Sequence, residues 1–185
     1  KGAGSRPMDP TPSLAAPAFD AELIARHDLN GPRYTSYPTA PHFDVLFGEA
    51  EYRAAAAASN EEPIPRPLSL YIHLPFCPSP CFYCGCNRVI TRSRSEIGAD
   101  LVRLEREIAL QAALFDRDRQ VLQLHLGGGT PTFLSDAELS RLMAALGSAF
   151  ELAADAECSI EVHPRTASAE RLQHLAALGF NRISF

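Results

Sequence analysis

Lysine is nearly missing from this chain. Lys1 is the single example among 17 Lys+Arg residues, and every other cation is an arginine, which reads as a compositional bias. A formal net charge of −5 leaves no basic footprint, so nucleic acid is not expected as the main partner. Long apolar runs are also missing. None approaches the ~18–20 residues that span a bilayer, and no membrane span is expected. There is no recognisable secretory signal, which argues against disulfides and predicts a cytoplasmic protein. What remains is a chain of 185 residues that is 46% hydrophobic. That is enough for one domain or part of a larger one.

The informative feature is a cluster of four cysteines within ten residues: Cys77, Cys81, Cys84 and Cys86, spaced C-x3-C-x2-C-x-C. Thiolates favour iron–sulfur clusters, zinc and Cu(I). A zinc ribbon draws its ligands from two separated pairs, and no second pair exists here, although a zinc knuckle stays open as an alternative. A loop that supplies three thiolates to a four-iron cube leaves one iron free to bind a substrate or cofactor. Cys158 stands alone in an apolar stretch and reads as an inert buried thiol.

Periodicity predicts a strand over Leu68–Leu74, and the cysteines follow at its C-terminal end. A helix is expected over 95–115 with Ile97, Leu101, Leu104, Ile108 and Leu114 on one face. A strand over 121–126 runs into Gly127-Gly128-Gly129-Thr130-Pro131-Thr132. Ser135 and Glu138 form a capping box for the next helix, whose stripe is Leu139, Leu142, Leu146 and Phe150. A third strand is expected over 158–162, a helix over 168–178 closed by Gly179, and a last strand over 181–185. This β-α-β-α-β-α-β order specifies a parallel sheet with outer helices, and it stops in mid-pattern. We therefore expect a piece of a larger barrel or open sheet, marginally stable and inactive in isolation. Upstream, residues 1–18 read as a disordered tail or an expression scar, and 19–67 as an N-terminal extension. Within the extension we expect short helices over 20–28 and 44–59, an ordered loop over 31–41 and a stiff proline-rich linker over 61–67. Residues 68–185 would be the barrel segment.

Three candidate sites thus fall at the C-terminal ends of successive strands, the face that carries chemistry in α/β barrels. They are the cysteine loop, the glycine turn and Glu161. Each has a plainer reading. Glycines are often needed in a turn for positive φ. Glu161 could simply face solvent. His73 and His125 could be hydrogen-bonded core histidines. Tyr71 and Tyr83 could be core or could pack on a flat ring.

Read together, three segments resemble the oxygen-independent coproporphyrinogen III oxidases of the radical S-adenosylmethionine superfamily. They are Tyr71-Ile72-His73-Leu74-Pro75-Phe76-Cys77 with its cysteine run, Gly127-Gly128-Gly129-Thr130-Pro131-Thr132, and Ile160-Glu161-Val162-His163-Pro164-Arg165. The segment from Gly31 to Ala40 and Cys86 point to this branch rather than to the related haem chaperones. The resemblance implies a partial (β/α)6 TIM-like barrel. It implies that Cys77, Cys81 and Cys84 bind a [4Fe–4S] cluster, with Cys86 close by as a non-ligand. It also implies two S-adenosylmethionines: Tyr71, Gly128 and Glu161 at the first, Tyr83, Gly129 and Thr130 at the second. The substrate would be coproporphyrinogen III, decarboxylated oxidatively by a 5′-deoxyadenosyl radical mechanism in haem synthesis. A flavodoxin or ferredoxin would be the electron donor. His163 stands where the family generally has Asp, and Leu126 where an aromatic residue often precedes the glycines.

Overall fold

The computed structural model describes residues 20–28, 42–82 and 84–185. The expected tail over 1–18 and loop over 31–41 lie outside the described residues. The chain divides into two units, residues 1–44 and 45–185. In the first unit the helix α1 spans Ala21–His27. Asp20 caps it, its Oδ1 accepting the Leu23 N–H at 2.9 Å.

In the second unit α2 spans Glu49–Asn60. It starts five residues later than expected. The Gly48 N–H donates to the Glu51 carboxylate at 2.9 Å, and the helix begins at that cap. The linker after α2 is pinned by Arg119, only 8% exposed. Its guanidinium donates to Ser59 Oγ, Asn60 Oδ1 and the Arg66 carbonyl, and lies 5.3 Å from the centre of the Phe115 ring. These neutral acceptors satisfy a buried cation that would otherwise be costly.

The main sheet has four parallel strands: β1 (Leu68–Leu74), β4 (Val121–Gly128), β5 (Leu152–Glu161) and β6 (Arg182–Ser184). Their spatial order is β1-β4-β5-β6, the same as their order in the chain. The helices α3 (Arg94–Ala112), α4 (Asp136–Ala149) and α5 (Ala169–Ala177) connect them. A sheet that grows in one direction through right-handed crossovers puts all three helices on one face. That is barrel logic; in a doubly wound sheet the growth direction reverses and helices cover both faces. Along each strand the side chains alternate between faces. Leu74, Leu124, Leu126 and Ile160 enter one buried cluster with Ile97, Leu101, Leu139, Leu142, Leu146 and Leu175 from the helices. The other face carries Tyr71, His73, His125, Ser159 and Glu161.

Three further differences separate the structure from the sequence expectation. β5 begins at Leu152, six residues early: Leu152 already pairs with Val121 of β4, a register shift leaves residues 153–156 without a β4 partner, and pairing resumes at Glu157 opposite Gln123. β6 begins at Arg182 because the Asn181 side chain pairs with β5. It accepts the Cys158 N–H at 2.9 Å and donates to the Ala156 carbonyl at 2.8 Å. Leu114, expected on the α3 face, lies beyond the end of that helix. The other boundaries fall within two residues of expectation, except that α3 ends three residues early. Gly179, at φ +96°, closes α5, with the Phe180 N–H reaching back to the Leu175 carbonyl at 3.1 Å.

Candidate functional site

The cysteine loop is pinched at its base by two short parallel strands, β2 (Phe76–Cys77) and β3 (Val89–Ile90). Two residues are too few to show any periodicity, so the sequence alone does not reveal this pair. The loop is also tied to the end of β4. Gly129 N–H donates to the Leu74 carbonyl at 2.8 Å, and Thr130 N–H to the Phe76 carbonyl at 2.9 Å. Cys77 Sγ lies 3.4 Å from Thr130 Oγ1. The glycines permit this approach. A Cβ on Gly129 would sit 2.7 Å from the Pro75 carbonyl oxygen and 2.9 Å from Cys77 Sγ. Gly128 has φ +113°, and a Cβ there would strike the His73 ring at 2.7 Å.

The segment after the glycine turn is held from two sides. Arg94 donates to the Phe133 carbonyl at 2.9 Å and pairs with Glu138. Arg171 donates to the Thr132 carbonyl at 3.2 Å, to the Leu134 carbonyl and to Asp136. These contacts fix a 3-10 turn, Pro131–Phe133, directly after Thr130.

Glu161 ends β5 on the polar face. Its Oε2 accepts the Gly128 N–H at 3.0 Å, and its Oε1 lies 3.5 Å from His125 Nε2. His125 Nδ1 is 2.6 Å from Ser159 Oγ. Tyr71 stacks on His125 with ring centres 5.6 Å apart, and its hydroxyl lies 3.3 Å from His73 Nδ1. Burial, and next the Glu161 charge, push the Tyr71 phenol above its ordinary pKa. His73 Nε2 reaches the Asn87 carbonyl at 2.8 Å, so this half-buried ring bridges the strand to the cysteine loop.

A cleft of about 460 Å³ gathers Cys77, Cys81, Cys84 and Cys86 from the loop, Gly128, Gly129 and Thr130 from the turn, and Glu161 and His163 from β5 and beyond. A groove of about 370 Å³ between α3 and α4 and one of about 390 Å³ along β1 hold no cysteine. In the cleft the Cys84 thiol is held below its ordinary pKa, chiefly by the Cys86 backbone N–H. Burial first, then the charges of Cys84 and Glu161, push Cys86 up. Among the described residues no three Cys, His, Asp or Glu side chains converge as a ready-made metal cage. The donor set nevertheless suits an iron–sulfur cluster. Four thiols on one short loop line one cleft, soft ligands favour such clusters, and metal sites commonly take final form on binding.

Residues 71–185 match the family described as the radical SAM superfamily. A curated oxygen-independent coproporphyrinogen III oxidase from Mannheimia haemolytica is 47% identical over 146 residues, covering 79% of this chain and 97% of that relative. The chain belongs to the oxygen-independent coproporphyrinogen III oxidase family of radical SAM proteins. The enzyme of that name from Escherichia coli K12 is 50% identical over 166 residues, 90% of this chain and 35% of the relative. That from Pseudomonas aeruginosa is 46% identical over 168 residues, 90% and 36%. The chain thus spans about a third of the length of these two. A solved structure titled as coproporphyrinogen III oxidase from Escherichia coli, a radical SAM enzyme, matches with a TM-score of 0.74 at 48% identity. The match covers 90% of this chain and 36% of that one, so the parallel α/β fold is part of the radical SAM barrel. Superfamily membership implies a [4Fe–4S] cluster and S-adenosylmethionine as cofactors. No helix among the described residues is long and apolar enough to cross a membrane.

Of the residues singled out from sequence, Cys77, Cys81, Cys84, Gly128, Gly129, Thr130 and Glu161 line one cleft. Tyr71 lies outside its lining and reaches Glu161 across the His125 ring. Tyr83 lies outside the described residues. Ser159 was not singled out. Its signal was a polar residue two positions before Glu161, on the same face of an otherwise apolar strand.

Proposed function

We propose that this chain carries the cofactor-binding part of an enzyme that converts two propionates of coproporphyrinogen III to vinyl groups, giving protoporphyrinogen IX for haem synthesis. Each propionate carboxylate yields a vinyl group, carbon dioxide, a proton and two electrons. One observation carries the reading: the cysteine loop, the glycine turn and Glu161 end adjacent parallel strands around one cleft. The relatives named for this activity support it.

Cys77, Cys81 and Cys84 would hold the cluster, and Cys86 would remain a free thiol beside it. Two S-adenosylmethionines would bind. Tyr71, Gly128 and Glu161 serve the first, with Glu161 accepting from ribose hydroxyls. Gly129, Thr130 and, by family resemblance, Tyr83 serve the second. Bound together, cluster and S-adenosylmethionine supply the one-electron chemistry that breaks an unactivated C–H bond. The chain's own task is placement. Gly128 and Gly129 let the backbone approach the ligand, and the Thr130 and Gly129 N–H bonds keep the cysteine loop against β4. The electron donor would be a flavodoxin or ferredoxin, in the cytoplasm.

The test uses enzyme of the full length of its curated relatives, kept anaerobic, with substrate deuterated at the propionate β-carbons. Deuterium is expected in 5′-deoxyadenosine or returned to S-adenosylmethionine. Product formation without deuterium in either molecule refutes the reading.

A further inference from the structure

His125 has no role in the functional reading above, yet its ring is held on three sides. Ser159 Oγ lies 2.6 Å from Nδ1, Glu161 Oε1 lies 3.5 Å from Nε2, and Tyr71 stacks on the face at an interplanar angle of 18°. Sheet register brings these groups together. Tyr71 pairs with His125 and His125 with Ser159, so the three side chains form one row across β1, β4 and β5. Gly127 supplies the room. A Cβ at that position would stand 3.0 Å from His125 Nε2, 3.0 Å from the Tyr71 ring and 3.1 Å from the Glu161 carboxyl carbon. Any larger residue would press on all three at once.

The hydrogen-bond inventory selects a tautomer. A neutral imidazole offers one donor and one acceptor. With the proton on Nδ1, the bare Nε2 lone pair would face the Glu161 carboxylate. With the proton on Nε2, the ring donates toward Glu161 Oε1 while Nδ1 accepts the Ser159 hydroxyl. The competing acceptor for that hydroxyl, the Leu124 carbonyl, is farther, at 3.5 Å. Oε2 of the same carboxylate is already held by the Gly128 N–H at 3.0 Å. Both oxygens are thereby aimed, and the carboxylate plane is set before any ligand arrives. A freely rotating Glu would lose that freedom on binding.

We propose that His125, oriented by Ser159 in a pocket opened by Gly127, is a positioning residue that pre-sets the Glu161 carboxylate for the ribose of S-adenosylmethionine. This rests on the reading that Glu161 contacts that cofactor. The geometry makes the effect conditional on Glu161, and a merely structural role would not be.

The experiment is a double-mutant cycle in full-length enzyme with reconstituted cluster, reading the Kd of S-adenosylmethionine by equilibrium binding. Iron and sulfide content serve as the folding control. His125→Ala is expected to weaken binding about three- to tenfold, the cost of immobilising one freed side chain on binding. On a Glu161→Ala background the same change should cost no more than about twofold, because coupled residues are non-additive. His125→Gln, which keeps an N–H near the Nε2 position, should recover much of the loss. Ser159→Ala, which frees the ring and leaves it present, should show a smaller coupling of the same sign. It replaces His125→Ala in the cycle if that variant does not hold a cluster. If Glu161→Ala weakens binding but the His125 change costs the same in both backgrounds, the positioning role is overturned and the site reading stands. If Glu161→Ala leaves the Kd unchanged, the reading itself falls, and this inference with it.

Discussion

Gly129→Ala tests the junction between the cysteine loop and β4. The added Cβ would stand 2.9 Å from Cys77 Sγ and 2.7 Å from the Pro75 carbonyl oxygen. A thiol can swing aside. The Pro75 carbonyl, in the link between β1 and β2, accepts the Val89 N–H at 2.8 Å and cannot move without breaking that bond or shifting both strands. Overpacking of this kind costs about 1–3 kcal/mol. If the loop yields, two bonds are at risk: Gly129 N–H to Leu74 at 2.8 Å and Thr130 N–H to Phe76 at 2.9 Å. Each contributes about 1 kcal/mol net. The expected loss is about 2–4 kcal/mol. With a urea slope of roughly 2 kcal/mol/M, the unfolding midpoint falls by about 1–2 M. Iron uptake on anaerobic reconstitution should fall in parallel, because Cys77 is displaced by the same clash. Gly147→Ala is the control. Gly147 lies inside α4, and a Cβ there meets nothing within 4 Å. It should stabilise the protein by about 0.5–1 kcal/mol. A Gly129→Ala protein with the parent midpoint and full cluster content would refute the reasoning.

Replacing Cys77, Cys81 or Cys84 by Ala should abolish cluster uptake, while Cys86→Ala should retain it; iron and sulfide analysis with visible absorption after anaerobic reconstitution decides. A cluster lost only in the Cys86 variant would overturn the ligand set. Burial alone would raise the Glu138 pKa, but hydrogen bonds from the Ser135 backbone and hydroxyl, with the Arg94 guanidinium, bring it below the ordinary carboxylate value. A lowered folded pKa gives stability that is complete above the ordinary glutamate range and is lost as pH falls through the folded value. Acid unfolding of Glu138→Gln should therefore show a flatter loss of stability below that range, and curves of unchanged slope would count against the pairing.

Much of this protein is legible in the sequence because its signals are local. The Ser135/Glu138 box, the Gly179 stop and the apolar stripes of α3 and α4 act within a turn or two of chain, and the helices form near where those signals stand. The cysteine spacing names a ligand chemistry without any knowledge of fold. Other features depended on pairing between distant segments. β5 starts at Leu152 rather than Cys158 because Leu152 and Glu157 find parallel partners on β4 at either end of a register shift, which propensity alone would not show. β2 and β3 exist only because the loop ends meet. Above all, nothing in the order of residues says that Tyr71, His125 and Ser159 stand side by side. Sheet register decides that. A shift of one residue in any one of the three strands would turn that strand's side chain toward the helices, so the polar face of the site exists only in the assembled sheet.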